Sequence, residues 1–388
     1  MMKSEKYANL SPTRLILQCA VPEIITSVFG AFYAIADGIF VGRYLGETAL
    51  AAVNLLMPII LIVEALSNMI ATGASVNISM LLGKKKQREA SAIFTYSVKI
   101  IMLFSCIIGI LGLLFAKTFV ELLAPGAQQK VIYESAGYLK VYALWSPLIP
   151  VYFALDNYLR VCGRQNFSMA VGIISQLLNV LLDFLFIVVF RQGVKSAALA
   201  SCISIAWGSV IMLISFAGKR LDVYYVNEKI SMHDLGHILV NGASEFFSTI
   251  SASVMSMIIN IFILKYSGTT GVAAFSIVMY VDSIIGMVNF GICDSLQPAI
   301  SYCYGAGKTE RLKIILKKTV LIVAGVAAVA FVFMFWAGPY VASAFIKAGD
   351  AELREMSYTA IKIFSFSYLV GWIDMSFSAF FTALDKAG

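Results

Sequence analysis

The sequence predicts an all-α polytopic membrane protein, two pseudo-symmetric helical lobes related by a parallel repeat, with about ten transmembrane helices. Three observations carry this reading. First, 60% of the 388 residues are hydrophobic and 13% are charged, against the roughly 25% charged residues of a soluble domain. Second, long apolar runs such as 100–115 and 320–336 show no alternation of apolar and polar positions. A bilayer takes about 20 apolar residues per helix, and in lipid the backbone must satisfy its own hydrogen bonds, so the runs are helices. A transmembrane barrel would show short alternating strands instead. Third, the two halves of the chain align with each other.

The segment Met1 to Thr13 is polar and carries no cleavable signal pattern. Spans follow near 15–41, 49–82, 92–116, 137–159, 168–190 and 196–217. The polar connection after Gly218 separates them from spans near 238–264, 271–303, 319–344 and 359–384. Two exceed what a bilayer requires and are expected to tilt or to protrude into water. The net charge of +7 sits in short loops, most clearly Lys84 to Arg88 and Lys308 to Lys318. The bias of Lys and Arg between alternate loops places the N-terminus in the cytoplasm of a multi-pass cell-membrane protein and gives no reason to expect a nucleic-acid partner. Within the connection, Ser231 is suited to cap a short amphipathic helix carrying His233 and His237. Without a third ligand these two read as a solvated face. All six cysteines fall in apolar segments and read as small buried hydrophobes.

The repeat runs at a shift of 222 residues without a gap from Tyr44 to Arg88. It matches Tyr44 with Tyr266, Gly46 with Gly268, Ala51-Ala52 with Ala273-Ala274, Ile78-Ser79 with Ile300-Ser301, Gly83 with Gly305 and Lys86 with Lys308. Further back, Glu23 meets Glu245. An offset of six spans keeps both halves in the same orientation, as in transporters whose sites lie at the repeat interface.

Nine acids lie inside spans: Glu23, Asp37, Glu64, Asp156, Asp183, Glu245, Asp282, Asp294 and Asp374. Each would cost roughly 2.5–3.5 kcal/mol at the bilayer centre, and only Lys99 and Arg160 lie near enough in sequence to neutralise any of them. Asp156 and Arg160 are spaced to pair along one helix. Glu64, Asp282 and Asp294 are suited to capping or bridging helices. Asp37 and Asp183 stand apart. They precede Arg43 and Arg191, which puts both about 9–12 Å below the same boundary. Asn179 lies one turn before Asp183. Two carboxylates and an amide make an oxygen-rich site for Na⁺ or for a shared proton. Thioethers and aromatic faces suit apolar cations, so Met255, Met257, Met279 and Tyr280 are candidates for a cavity between the halves, with Glu23, Asn157, Glu245 and Asp374.

At these positions the sequence resembles a known family. Ala36-Asp37-Gly38-Ile39-Phe40-Val41-Gly42, Asp156 to Gly163, Asn179 to Ile187 and Ala197-Ala198-Leu199-Ala200-Ser201 resemble motifs of the multidrug and toxic compound extrusion (MATE) transporters. The resemblance implies two lobes around a cavity that opens to either side in turn, and export driven by Na⁺ or H⁺. It implies a cation site at Asp37, Asn179, Asp183 and Ser201, and an acidic role for Asp374. The family's seventh-span glutamate aligns near Ser253, two turns from Glu245. Twelve spans are implied and ten are seen, so the expected division is 1–217 with six spans, a linker at 218–237, and 238–388 with four. The expected activity is antiport of small organic cations by a monomer in membrane lipid, with no cofactor beyond the coupling ion and no enzymatic step. A lipid-linked oligosaccharide flippase is the alternative, although such a cavity needs cationic residues for pyrophosphate. An intramembrane enzyme is a second alternative, for which the sequence offers neither His-Glu-x-x-His nor Gly-x-Gly-Asp.

Overall fold

A computed structural model describes residues 2–228, 230–343, 346 and 351–386. Every regular element among them is helical. Among these described residues, seven helices are long and apolar enough to cross a membrane: Pro12–Leu45, Glu47–Gly83, Gln87–Leu123, Gln165–Val189, Val194–Ala217, Met232–Gly268 and Thr309–Trp336. Three bent pairs complete ten spans when each is taken as one: Gln129–Trp145 with Ile149–Val161, Thr270–Ser283 with Ile285–Gly305, and Ala351–Ser365 with Tyr368–Ala383. In chain order these are the ten expected spans. The predicted end of the ninth, past 343, lies outside the described residues.

The fourth span bends by 49° where Pro147 removes a backbone donor and disfavours helix in the residue before it. Ser231 does cap a helix: Asp234 N donates to Ser231 Oγ at 3.0 Å, and Ser231 N donates to Asp234 Oδ2 at 3.4 Å. That helix is not the short one expected. It starts at Met232, inside the predicted linker, and continues as the seventh span, because no breaker separates the polar first turn from the apolar run. Five of the six cysteines are buried, and Cys106 is half-buried.

The repeat persists in the backbone at the same 222-residue shift. Positive φ angles pair Gly46 (89°) with Gly268 (62°), Lys85 (62°) with Gly307 (68°), and Gly163 (71°) with Asp385 (60°). The last pair carries the repeat to the ends of the fourth and tenth spans. The tenth span also bends, by 51°. Where the halves touch, the contact is self-complementary. A Cβ on Gly83 would stand 2.3 Å from Tyr302 O, and one on Gly305 would stand 2.2 Å from Met80 O. Met80 and Tyr302 are themselves repeat partners, so the second and eighth spans cross on a pseudo-two-fold axis. Nearby, a Cβ on Gly73 would meet Ile238 O at 2.0 Å and one on Gly242 would meet Met69 O at 1.8 Å. Only glycine lets these backbones approach so closely.

All these contacts lie toward the face that carries the N-terminus. There one apolar cluster joins both halves, with Leu15, Ile78, Phe94 and Leu155 packed together with Leu296 and Ile300. Toward the opposite face the core divides. Val53, Leu56, Val120 and Leu139 cluster within the first six spans, while Val278, Val281, Met334 and Ile361 cluster within the last four. The molecule is therefore closed at the N-terminal face and splayed at the other.

Replacing Gly83 or Gly305 by alanine is expected to cost about 1–3 kcal/mol, as overpacking of a dense interior does. Gly325→Ala, where a Cβ meets nothing within 4 Å, should leave the melting temperature in detergent unchanged. Equal melting of all three variants would refute the close crossing.

Candidate functional site

The four residues singled out as a cation site come together. The first span is α-helical to Phe40 and then widens into a π turn over Val41–Leu45. The fifth is α-helical to Asp183 and widens over Phe184–Val189. Such turns upset the regular hydrogen-bond ladder and recur at functional sites. Here they fall just beyond Asp37 and Asp183, whose carboxyl groups lie within hydrogen-bonding reach of each other. With the Asn179 amide oriented to satisfy both of its ends, Nδ2 donates to Asp183 Oδ2 at 2.8 Å and Oδ1 accepts from Ser201 Oγ at 2.9 Å. Asp183 is fully buried and Asn179 is 2% exposed. One oxygen of each acid, Asp37 Oδ1 and Asp183 Oδ1, is sealed from solvent without a partner.

Tyr33, one turn before Asp37, faces Ser201 and lines the same cavity as Asn179. The sequence reading missed it, although its i, i−4 spacing from Asp37 was the available signal. Among the described residues no ion pair reaches Asp37 or Asp183. Two carboxyls that face each other in a low dielectric hold a proton or a cation between them. A cavity of about 280 Å³ adjoins the ring, lined by Tyr33, Glu64, Gln176, Asn179 and Ser204.

A second polar centre forms around Arg160, which the sequence reading paired with Asp156 alone. That pair exists, with Arg160 Nη2 at 3.3 Å from Asp156 Oδ2. Arg160 Nη1 also meets Asp294 at 2.5 Å and Glu23 at 3.3 Å, and Nη2 donates to Asn157 Oδ1 at 2.6 Å. Glu23 and Asn157, expected as free cavity groups, are thus engaged by a guanidinium that is 8% exposed. Ser168 donates to Asp156, and Gln297 Nε2 donates to Asp294 Oδ1 at 3.3 Å. Glu245 lies near Asp294. Lys99 is exposed and joins no ion pair among the described residues, so it neutralises none of the acids.

The remaining candidates scatter. Met257 lines a groove of about 590 Å³ with Ser253, Ser256, Asn260, Ile261 and Leu264. Met255 and Tyr280 are exposed. Met279 instead packs on the Ile277, Val278 and Val281 cluster, because its helix turns that side toward the core. Asp374 is exposed, and Glu245 is half-buried. Asp282 bridges helices as expected, accepting from Tyr368 Oη at 2.6 Å.

The arrangement, buried acids in one half of a splayed helical pair, matches known proteins. A family model described as MatE matches residues 22–185 and 246–387. The chain belongs to the MATE family of transporters. It is 26% identical over 388 residues to the multidrug export protein MepA of Staphylococcus aureus strain MSSA476, covering 98% of this chain and 84% of that one. MepA of Staphylococcus saprophyticus is 26% identical over 390 residues, with the same coverage. Among solved structures, a MATE transporter in the straight conformation superposes with a TM-score of 0.92 at 22% identity, covering all of this chain and 86% of the other. A transporter of the MOP superfamily from Pyrococcus furiosus, whose binding pocket is described as of reversed polarity, gives 0.91 at the same identity and coverage. These structural likenesses establish the fold.

Arg160→Met would leave three carboxylates around an empty centre. Breaking a buried ion network by removing one partner costs about 3–5 kcal/mol. The variant is expected to melt far below the parent or to lose its monodisperse peak, and a melting curve like the parent's would show that the network contributes little.

Proposed function

We propose that this MATE-family chain exports small organic cations from the cell in exchange for Na⁺ or H⁺. In this reading a lobe at 1–217 and a lobe at 238–388, joined by a linker at 218–237, rock about their common axis. The N-terminus is cytoplasmic and the splayed face opens outward. The observation that carries the proposal is the ring of Asp37, Asn179, Asp183 and Ser201 with two buried, unpartnered carboxylate oxygens. The two unpartnered carboxylate oxygens are hard donors, which fits Na⁺, and they equally fit a proton shared between the acids, while the Asn179 amide, with Nδ2 turned to Asp183, orients that acid. Binding there neutralises one lobe. For transport to be coupled, the ion must favour one arrangement of the lobes over the other, since equal affinity shifts nothing. The exposed acid Asp374 and the groove at Met257 supply negative charge and soft apolar surface for the exported cation. The names of the MepA relatives, multidrug export proteins, agree with that substrate class.

The flippase alternative needs cationic groups for a pyrophosphate. Arg160 sits among the spans but is already surrounded by carboxylates, which favours export of cations.

Purified protein in proteoliposomes should move ethidium when a Na⁺ or an H⁺ gradient is imposed, and imposing each alone identifies the ion. Asp37→Asn and Asp183→Asn should each bring ion-driven flux to the level of empty vesicles while retaining a monodisperse elution profile. Undiminished flux in folded Asp37→Asn would sink the coupling role. Asp374→Asn should weaken ethidium transport with the ion response preserved, and unchanged transport would remove that residue from the path.

A further inference from the structure

The Arg160 network lies off the ion site and joins the two lobes. Arg160 ends the fourth span and Asp294 sits in the eighth. Their 2.5 Å contact is made where the lobes meet. We propose that Arg160 is a positioning residue, the inner bolt of a latch that holds the lobes together at the N-terminal face, and that the segment Lys3–Asn9 is the strap across it. This rests on the alternating-access reading and names the contact that must part in it.

The charge balance suits a contact made and broken repeatedly. Arg160 has three carboxylates, of which Glu23 and Asp156 belong to its own lobe. When the lobes separate, the guanidinium keeps two partners and is never left uncompensated, the situation that makes broken buried ion pairs so costly. Asp294 is the one group that loses its counter-charge. It retains Gln297, faces Glu245, and must then take up water, a proton or a cation. The groups facing the guanidinium from the packed elements are thus Glu23, Asp156, Asp294 and, beyond Asp294, Glu245.

The strap is tied to both lobes. Tyr7 is fully buried, and its hydroxyl donates to the carbonyl of Arg160 itself while accepting from Gln165 Nε2 at 2.6 Å. From the other lobe, Arg311 Nε donates to Tyr7 O at 2.8 Å and Lys308 Nζ donates to Ala8 O at 3.2 Å. Lys3 N and Ser4 N donate to Asp222 of the linker at 3.0 and 2.6 Å. Cys303 Sγ, buried at this junction, donates to Tyr7 O at 3.4 Å. It is a native reporter, because parting of the lobes or lifting of the strap would expose it.

The test uses the full chain in lipid nanodiscs. Modification of Cys303 by a membrane-impermeant maleimide is followed by peptide mass spectrometry. Asp294→Asn removes the cross-lobe pair and leaves Arg160 neutralised within its own lobe. The initial labelling rate should rise on the order of tenfold, as loss of one charge-assisted hydrogen bond shifts a two-state equilibrium. Glu23→Gln makes the same charge change inside one lobe and should label like the parent. Should Asp294→Asn not elute as a monodisperse species, Arg160→Lys is read in its place, since lysine keeps the charge but cannot span Asp294 and Asn157 together. Parent-like labelling in the cross-lobe variant, or an equal rise in Glu23→Gln, overturns the latch. Failure of the transport reading would show separately, as absent ethidium flux in proteoliposomes, with the Cys303 result standing on its own.

Discussion

A charge in the interior of a bilayer-spanning bundle must find a partner, and much of this molecule's organisation follows from how its nine intramembrane acids do so. Asp282 is held by a tyrosine hydroxyl of the tenth span. Glu23, Asp156 and Asp294 gather on the one buried guanidinium. Among the described residues Asp37 and Asp183 have no basic partner, and they are placed against each other. The first two solutions fix helices relative to one another. The third sets two acids against each other, and the proposed coupling site is built on that pair. These groups of acids therefore differ in what lies against them and not in how deeply they are buried.

The same comparison shows how a duplicated scaffold becomes asymmetric. The two halves share turn geometry at three pairs of positive-φ residues and meet through reciprocal contacts at Gly83 and Gly305. The chemistry is not shared. At the 222-residue shift, Arg160 corresponds to Thr382, Asp294 to Thr72 and Asp37 to Ile259. Apart from Glu23 and Glu245, which correspond, these ionic groups occur once, on one side of the axis. The repeat makes the backbone symmetric, and the singly occurring charges make the chemistry one-sided.

Much of this was legible in the sequence. The ten spans follow from apolar length, and the parallel repeat follows from matched turn glycines whose backbone angles the structure repeats. The ring of Asp37, Asn179, Asp183 and Ser201 was reachable because two acids could be placed at one depth by counting residues to a boundary, with the family resemblance adding Ser201. Tyr33 was missed because its one mark was its i, i−4 spacing from Asp37, a signal that a tyrosine on an apolar helix gives only once its neighbours are known. The Arg160 network was missed for a different reason. Its members come from the first, fourth and eighth spans, and no spacing rule along one helix reveals that Glu23 and Asp294 share a guanidinium with Asp156. Where Met279 faces could not be read ahead, because a side chain's facing within a long apolar run depends on neighbours that the run itself does not encode.

The glycine crossing at the N-terminal face has a mechanical consequence. The second span holds 37 residues and, at about 1.5 Å per residue, is a rod of roughly 55 Å. A fulcrum near one end of such a rod gives large leverage. Tilting it by roughly 15° about that end carries the other through about 14 Å, the width of a flat polycyclic molecule, while side chains beside the fulcrum move by little more than a bond length. In the proposed rocking motion, the gape of the far mouth is set by how tightly a few backbone atoms near Gly83 and Gly305 abut.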